Sequence, residues 1–487
     1  MIGRIISGSE KEGDVAMHLI PLIIVMGYIV LLFVVSWFST KLAKKDGAEG
    51  YLLAGRKMPT ILVAVNLAGL AIGGASTIGV AQIAYKSGIS AGWYTVAWGA
   101  GGILVGLIAA GRYRKMHIST IPELFGQYYS SSGRTIAVIG QLLVQITITS
   151  LQYVAGGAIL TSLLPQYFNQ HTGMLVTGIV FVGITLIGGM WGVGLTHVVN
   201  VVVIYVGLVT GAVASLAHYG GFRAIQMSLP ATGPWFQPFA GVGGLIIGAW
   251  FAVMITQAFS TQAIVQIAFS ARNEKTARRG FLLGGLIILP AGFLAALMGI
   301  IAASQFPGIV SANALPKVVL SLNPIVAGIT LAGLWAADVS SASGLLLGSS
   351  TLVIEDVWKR YFKPDINDQQ RMVASRIIVL AVSIITYLLA TTVSGILNTL
   401  LIGLTLTTAY TVVLLFTMFV PGLCRRSSAF WTILVGIVYL TIWQFIPATH
   451  IVSHPIYLAW PIAIATFLLV TVLDKERASI PPTLNEK

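Results

Sequence analysis

Charge is what this sequence lacks most. Only 9% of its residues are Asp, Glu, Lys or Arg, against about 25% in soluble globular domains. That shortfall excludes an ordinary soluble enzyme and a disordered chain. Cysteine is nearly absent as well. With Cys424 alone, neither a disulfide framework nor a cysteine-ligated zinc or iron–sulfur site can be built. No Gly-Lys-Ser/Thr phosphate loop occurs, which removes nucleotide hydrolysis through a Walker site. No His-Glu-x-x-His occurs either. One Gly-x-Ser-x-Gly runs from Gly88 to Gly92, but it lies between two apolar stretches and not at a strand-to-helix elbow. The 53 glycines follow no Gly-X-Y period, which excludes collagen. Neither an enzyme nor an organic cofactor is expected.

Apolar sequence is what remains. A helix crosses the hydrocarbon core with about 20 apolar residues, and roughly 13 stretches meet that length, which predicts an all-α polytopic membrane protein. The first runs from about His18 to Phe38 and the second from Pro59 to Tyr85. Others begin near Ala91, Thr135, Thr172, Thr196, Gly241, Gly280, Pro324, Met372, Gly395, Ala429 and Pro455. The largest connections, Tyr219 to Pro238 and Lys359 to Gln370, read as loops. The first stretch reads as a span and not as a cleaved signal peptide, because five basic residues follow it.

The net charge of +13 then acquires a meaning. With 13 spans, 23 of the 28 Lys and Arg fall on one side of the membrane and five (Arg4, Lys11, Lys86, Arg223 and Lys317) on the other. By the positive-inside rule the N-terminus is outside and the C-terminus cytoplasmic, in the plasma (inner) membrane. The basic loops are orienting faces. A nucleic-acid partner would need interleaved aromatic platforms, which are missing. The expected surroundings are a lipid bilayer, with no obligatory protein partner.

Fourteen of the 15 acidic residues fall in loops or tails, and Asp338 alone is placed mid-span. A carboxylate at depth is costly and marks a functional site by default; the alternative is an aspartate satisfied by neighbouring hydroxyls. His197, near the start of another span, is a second ionisable candidate or simply a packed polar residue. The stretch Ser76 to Tyr85 recurs as Ser260 to Phe269, with five of ten positions identical at an offset of 184 residues. The copies lie five spans apart and so have opposite orientation, the mark of an inverted-topology repeat. Both are rich in glycine or hydroxyls, from Asn66 to Thr77 and from Ile255 to Gln262. Such helices can unwind at mid-membrane and free carbonyls for small cations. Close helix packing explains Gly69 and Gly73 equally well. Ala337 to Gly344 carries Ser340, Ser341 and Ser343 in one turn, either oxygen ligands for a hard cation or interhelical hydrogen-bond donors.

These segments resemble the sodium/solute symporter family, relatives of the sodium–glucose, sodium–proline and sialic acid symporters. Glu49 to Pro59 resembles the family's motif leading into its first core helix, and Ile121 to Leu124 its next cytoplasmic loop. Gly188 to Trp191 precedes the fifth core helix. Lys275 to Gly280 resembles the loop after the sixth, and Ala337 to Asp356 the eighth. The resemblance implies a LeuT-type fold of two inverted five-helix repeats. Residues 1–57 would hold an extracellular tail, an accessory helix and a cytoplasmic loop. Residues 58–422 would form the core, with repeats at about 58–220 and 240–422, and residues 423–487 two further accessory helices and a cytoplasmic tail. It implies sodium-coupled symport of a small organic solute by alternating access. The sodium ligands would be the carbonyls of Gly69, Ile72 and Ala337 and the hydroxyls of Ser340 and Ser341.

The sequence departs from the family pattern in three places. Thr196-His197 stands where relatives have Thr-Asp, Asp338 where they have an uncharged residue, and Ile267 where they often have Arg. Asp338, His197 and Ser343 are therefore ion-coupling candidates, and proton-coupled symport through Asp338 and His197 is the alternative reading. Candidate solute contacts are Ser76, Thr77, Gln145, Gln152, Gln257 and Ser260. Their neutrality favours an uncharged or zwitterionic solute, with an anion at helix N-termini the other possibility. An ion channel would need a polar pore or a ring of charge. A membrane enzyme would need a paired acid and base, for which Asp338 and His197 are the only pair.

Overall fold

The computed structural model describes residues 9–163, 165, 167–392 and 396–481, with side chains from Leu19 onward at most of them. Arg4, Gly395 and Lys487 lie outside these. The described residues are helical throughout, without a strand ladder.

Helix α1 (Ser9–Lys45) is followed by the short α2 (Gly47–Leu53). The chain then turns through Ala54, Gly55 and Arg56, all at positive φ (52°, 58° and 54°). Two of these are not glycine, so the turn is costly and must be held by its surroundings. Arg56 pairs with Glu49 at 2.7 Å and Lys57 with Asp46 at 2.5 Å across it. Helix α3 (Thr60–Ala71) stops at Ile72, where φ is −88° and ψ 80°. A π-turn, Ala75–Gly79, leads into α4 (Val80–Ser87). Next come α5 (Trp93–Ile108), α6 (Ala110–Lys115) and α7 (Ile121–Tyr128), the last capped by the Thr120 hydroxyl and begun by Pro122.

After α8 (Ser131–Leu163), α9 (Gln170–His218) runs for 49 residues, or about 74 Å at the helical rise. That is more than twice the hydrocarbon thickness, and Gly189, at φ 52° and ψ −146°, divides it. A side chain at Gly189 would collide with Tyr51 of α2. Helix α10 (Gly221–Ser228) occupies part of the Tyr219–Pro238 connection. Helices α11 (Gly244–Ser260) and α12 (Gln262–Ser270) meet at a 49° bend. Pro290, which cannot continue a backbone hydrogen-bond ladder, separates α13 (Glu274–Ile288) from α14 (Ala291–Gln305).

The short α15 (Ala314–Leu320) precedes α16 (Pro324–Leu352), which continues as a π-helix, Val353–Phe362. That continuation occupies the start of the second connection read as a loop. Helices α17 (Asp368–Ala390), α18 (Ile396–Thr405), α19 (Thr407–Phe419), α20 (Ser428–Phe445) and α21 (Ile456–Leu473) complete the chain.

Among the described residues, nine helices are long and apolar enough to cross a membrane, or ten with the bent pair as one span. The expected 13 are not reached on that criterion. The shortfall falls where helices are interrupted: α3 is only 12 residues long, α9 counts once despite its kink, and Gly403–Phe419 is short. Helix α16 is the centre of the molecule. Its span is 83% buried, against 28% for α17, α20 and α21. It packs most extensively on α9, then on α8, α1, α17 and α3. At the α9–α16 contact a Cβ on Gly207 would lie 2.9 Å from the Gly333 Cα, the small-residue packing that lets membrane helices approach closely.

Candidate functional site

The site grows out of the interruption after α3. In a continuous helix the Gly74 N–H would bond the Leu70 carbonyl; here it donates to Gln152 Oε1 of α8 at 3.0 Å. The freed carbonyls turn to hydroxyls. Ser341 Oγ lies 2.9 Å from Leu70 O and 3.2 Å from Gly69 O. Ser340 Oγ lies 2.7 Å from Gly69 O and 2.9 Å from Ala337 O. Ser76 Oγ bonds Ala71 O at 2.6 Å. Gly69 O, Ala337 O and the two serine hydroxyls thus form one cluster between α3 and α16, in which every residue is buried. Ile72 sits at the interruption itself. Packed oxygens of this kind, neutral and desolvated, suit a small hard cation.

Two further candidates touch this cluster. His197 Nε2 lies 3.0 Å from Ser340 O, to which the Ser343 hydroxyl also donates at 3.0 Å. The imidazole lies against Gly69, where a Cβ would come within 3.0 Å of its Cγ and Nδ1. Asp338 is fully buried, and neither carboxylate oxygen has a hydrogen-bond partner. Its Oδ1 faces Gly74, 2.5 Å from where a Cβ would stand.

The second interruption is stitched by Gln141 and by the Tyr113 hydroxyl, which donates to Phe259 O. Gln141 Oε1 accepts from Gln262 N at 3.0 Å, and its Nε2 donates to Ser260 O at 2.6 Å. Gln141 and Gln152 are 11 residues apart on α8, three helical turns, and so share a face. Each serves one interruption. Gln141 escaped the sequence reading; its spacing from Gln145 and Gln152 was the available signal. Gln145, on the same face, keeps both amide atoms unpaired beside Gly348.

Between the interruptions lies a cavity of about 30 Å³, room for a water molecule or two. Gln152 and Gln257, two of the candidate solute contacts, line it, and so do Thr261, Ser341, Tyr94 and Trp98. No charged side chain is among its lining residues. The aromatic pair was missed, although its spacing of four residues places both rings on one face of α5. Three of the other four expected contacts are engaged elsewhere, and Gln145 is the exception. Ser76 and Thr77 bond the carbonyls of Ala71 and Gly73. Ser260 bonds Thr256 O and Thr407 O and accepts from Thr411.

The model of the sodium:solute symporter family matches residues 51–436, most of the chain. The chain belongs to the sodium:solute symporter family. The osmoregulated proline transporter of Bacillus subtilis is 25% identical over 388 residues, 76% of this chain and 78% of that protein. The sodium/glucose cotransporter of Vibrio parahaemolyticus is 26% identical over 396 residues, 74% and 72% of the two chains. Among solved structures, a Na+-coupled sialic acid symporter in a substrate-bound outward-open state superposes with a TM-score of 0.79 at 18% identity, covering 95% of this chain and 99% of that one. MhsT in complex with L-phenylalanine superposes with a TM-score of 0.52 at 15% identity, covering 85% and 98%. The fold of this family member is therefore LeuT-type. The protein is an integral membrane transporter that couples solute movement to sodium, and not an enzyme.

Glutamines tie α12 of this symporter to its surroundings. Ile267 is simply buried. The neighbouring Gln266 Nε2 lies 2.7 Å from Leu52 O, ahead of α3, and 2.9 Å from Thr351 Oγ1 of α16. Gln262 Oε1 accepts from Ile121 N at 2.9 Å and its Nε2 donates to Ser119 O at 3.0 Å. Two buried hydrogen bonds are worth about 1–3 kcal/mol, so Gln266→Ala should raise the population open at this end about 5-fold or more. The measurement is maleimide labelling of Ala263→Cys in a Cys424→Ser background. Equal labelling rates with and without Gln266 would remove the latch role.

Proposed function

We propose that the coupling sodium binds at the first interruption, held by the carbonyls of Gly69, Ile72 and Ala337 and the hydroxyls of Ser340 and Ser341. The observation that carries this reading is the convergence of both hydroxyls on carbonyls freed by the end of α3. An ion there ties the first core helix to the central α16 and favours the closed arrangement of the two. Solute binds in the adjacent cavity, which widens to admit it. Release of sodium to the sodium-poor cytoplasm lets the first helix separate and completes alternating access. Linkage requires that sodium tighten solute binding and solute tighten sodium binding by the same factor.

The solute is a neutral or zwitterionic organic molecule. Amides and hydroxyls (Gln152, Gln257, Thr261) offer donors and acceptors, and Tyr94 and Trp98 an apolar wall. The solutes named for relatives, proline and glucose, are of these two kinds. Asp338, His197 and Ser343 tune ion coupling from the second layer around the cluster. Gln145, unpaired on the face of α8 beyond Gln152, lies on the solute's way out. The core spans residues 58–422, with repeats at about 58–220 and 240–422. The symporter sits in the plasma (inner) membrane with its N-terminus outside, an orientation supported by the 23-to-5 segregation of Lys and Arg.

The test is a thermal-shift screen of the purified protein against amino acids, sugars and organic anions, with sodium or with potassium. Ligand at 100 times its dissociation constant stabilises by about 2.7 kcal/mol. A solute that raises the melting temperature several degrees in sodium and much less in potassium identifies the cargo. A sodium-independent shift by an anion would overturn this reading of the solute.

A further inference from the structure

A second cavity, of about 580 Å³, lies on the lipid-facing side of the protein, between the ends of α1 and α17 and the kink of α9. Its walls are apolar, from Trp37, Leu186, Val373, Ile377 and Leu380 among others. Trp37 is 59% exposed and Ile377 61%. In a membrane protein, apolar side chains exposed at this level face lipid, and a tryptophan there marks the interface. Lys41 and Lys45 at the end of α1 place that interface on the strongly basic side.

One cation enters this apolar space. Arg376, in the first turns of α17, lines the cavity, and its Nε is buried without a hydrogen-bond partner. Among the described residues it forms no ion pair, and the one Arg in its own helix that does, Arg371, is held by Glu355. A guanidinium is built to hold phosphate by two parallel hydrogen bonds. Basic pockets between membrane helices on the cytoplasmic side collect anionic head groups.

We propose that this cavity is a binding site for an anionic phospholipid of the basic-side leaflet, with its phosphate on Arg376 and an acyl chain along Leu186, Ile377 and Leu380. Lipid is the occupant because these walls face the hydrocarbon, and the guanidinium, which faces no carboxylate among the described ion pairs, selects the anionic kind. The site also reaches the transport core. The Arg376 guanidinium lies 5.7 Å from the Tyr51 ring centroid, and the Tyr51 hydroxyl donates to Thr185 O at 2.9 Å. Tyr51 precedes Leu52, whose carbonyl is held by Gln266. A phosphate on Arg376 fixes the guanidinium over Tyr51 and steadies the segment that must move when the first core helix swings. Bound lipid therefore favours the arrangement in which the Gln266 latch is closed.

The test needs neither the solute nor the orientation of the protein, so it stands apart from the transport reading. Protein delipidated in detergent is titrated with phosphatidylglycerol, phosphatidylcholine or glycerol phosphate while its melting temperature is followed, and retained lipid is counted by native mass spectrometry. Phosphatidylglycerol is expected to raise the melting temperature well above phosphatidylcholine and to be retained as one molecule; glycerol phosphate should do neither. Arg376→Gln should weaken phosphatidylglycerol at least about 10-fold. Ile377→Trp fills the groove while keeping the cation, and should weaken it as well, which covers the case in which Arg376→Gln fails to fold. Lys363→Gln, at the neighbouring cavity lined by Trp358 and Ile378, should leave binding unchanged. Equal effects of the two lipids on the wild type, full retention of the preference in Arg376→Gln, or equal losses in Lys363→Gln would each overturn the proposal.

Discussion

Replacing Ser340 and Ser341 together by alanine should raise the sodium concentration for half-maximal stabilisation about 100-fold or more. A hydrogen-bonding group facing a charge is worth about 1.5–3 kcal/mol, or about 10- to 100-fold in affinity for each, and the double variant removes two. The hydroxyls do not hold the fold on their own. Each belongs to a buried helix whose packing rests on Ala337, Ala342, Leu345 and their neighbours, so the alanine variant keeps its hydrophobic contacts. Loss of Ser340 alone leaves Ser341 on Gly69 O and Leu70 O and should cost about 10-fold. The measurement is the sodium dependence of the melting temperature, with choline as the control cation. A double variant that titrates with sodium like the wild type would move the ion away from α16.

Asp338→Asn should lower sodium-driven uptake of the solute found by thermal shift about 10-fold. Coupling free energies between linked sites run to about 1–3 kcal/mol, or about 5- to 150-fold. Asparagine has the size of aspartate and keeps the contact with Gly74, so only the acid function is lost. A carboxylate at the bilayer centre costs about 2.5–3.5 kcal/mol on insertion scales, and its oxygens here have no partner to offset that. The asparagine variant is therefore expected to be at least as stable as the wild type while coupling more weakly. A merely structural aspartate would show the opposite, with stability lost and sodium dependence kept. Uptake driven by a sodium gradient alone, unchanged in the variant, would falsify the coupling role.

Much of this site was legible in the sequence because its logic is chemical. Glycines and hydroxyls packed into two membrane spans signalled helices that cannot run straight, and both spans are interrupted. Three serines within four residues signalled either oxygen ligands or interhelical hydrogen-bond donors, and two of them meet the carbonyls at the end of α3. What escaped was register. The repeat aligns Thr77 with Thr261, yet the first helix ends at Ile72, whereas the second ends at Thr261 itself. Identity of residue type does not tell where a helix gives way; that depends on which neighbour takes up the orphaned backbone groups. Gln152 takes the Gly74 N–H from across the bundle, and a contact between residues 78 positions apart leaves no local trace. For the same reason Ser76 and Thr77 read as solute contacts when they bond backbone carbonyls of their own segment. The count of 13 spans stays unconfirmed for a related reason, since an interrupted span satisfies neither a length nor a continuity criterion.

The unequal interruptions have a consequence for kinetics. The first leaves three consecutive carbonyls, of Gly69, Leu70 and Ala71, to side-chain hydroxyls. The second leaves the carbonyls of Phe259 and Ser260 and the Gln262 N–H, taken by the Tyr113 hydroxyl and by Gln141. Although the halves share an inverted architecture, the hydrogen bonds broken on opening toward one compartment differ in kind and strength from those broken toward the other. The two opening barriers are therefore unequal. Influx and efflux through this symporter should have different half-saturation concentrations and maximal rates, even though their ratio remains bound to the same overall equilibrium.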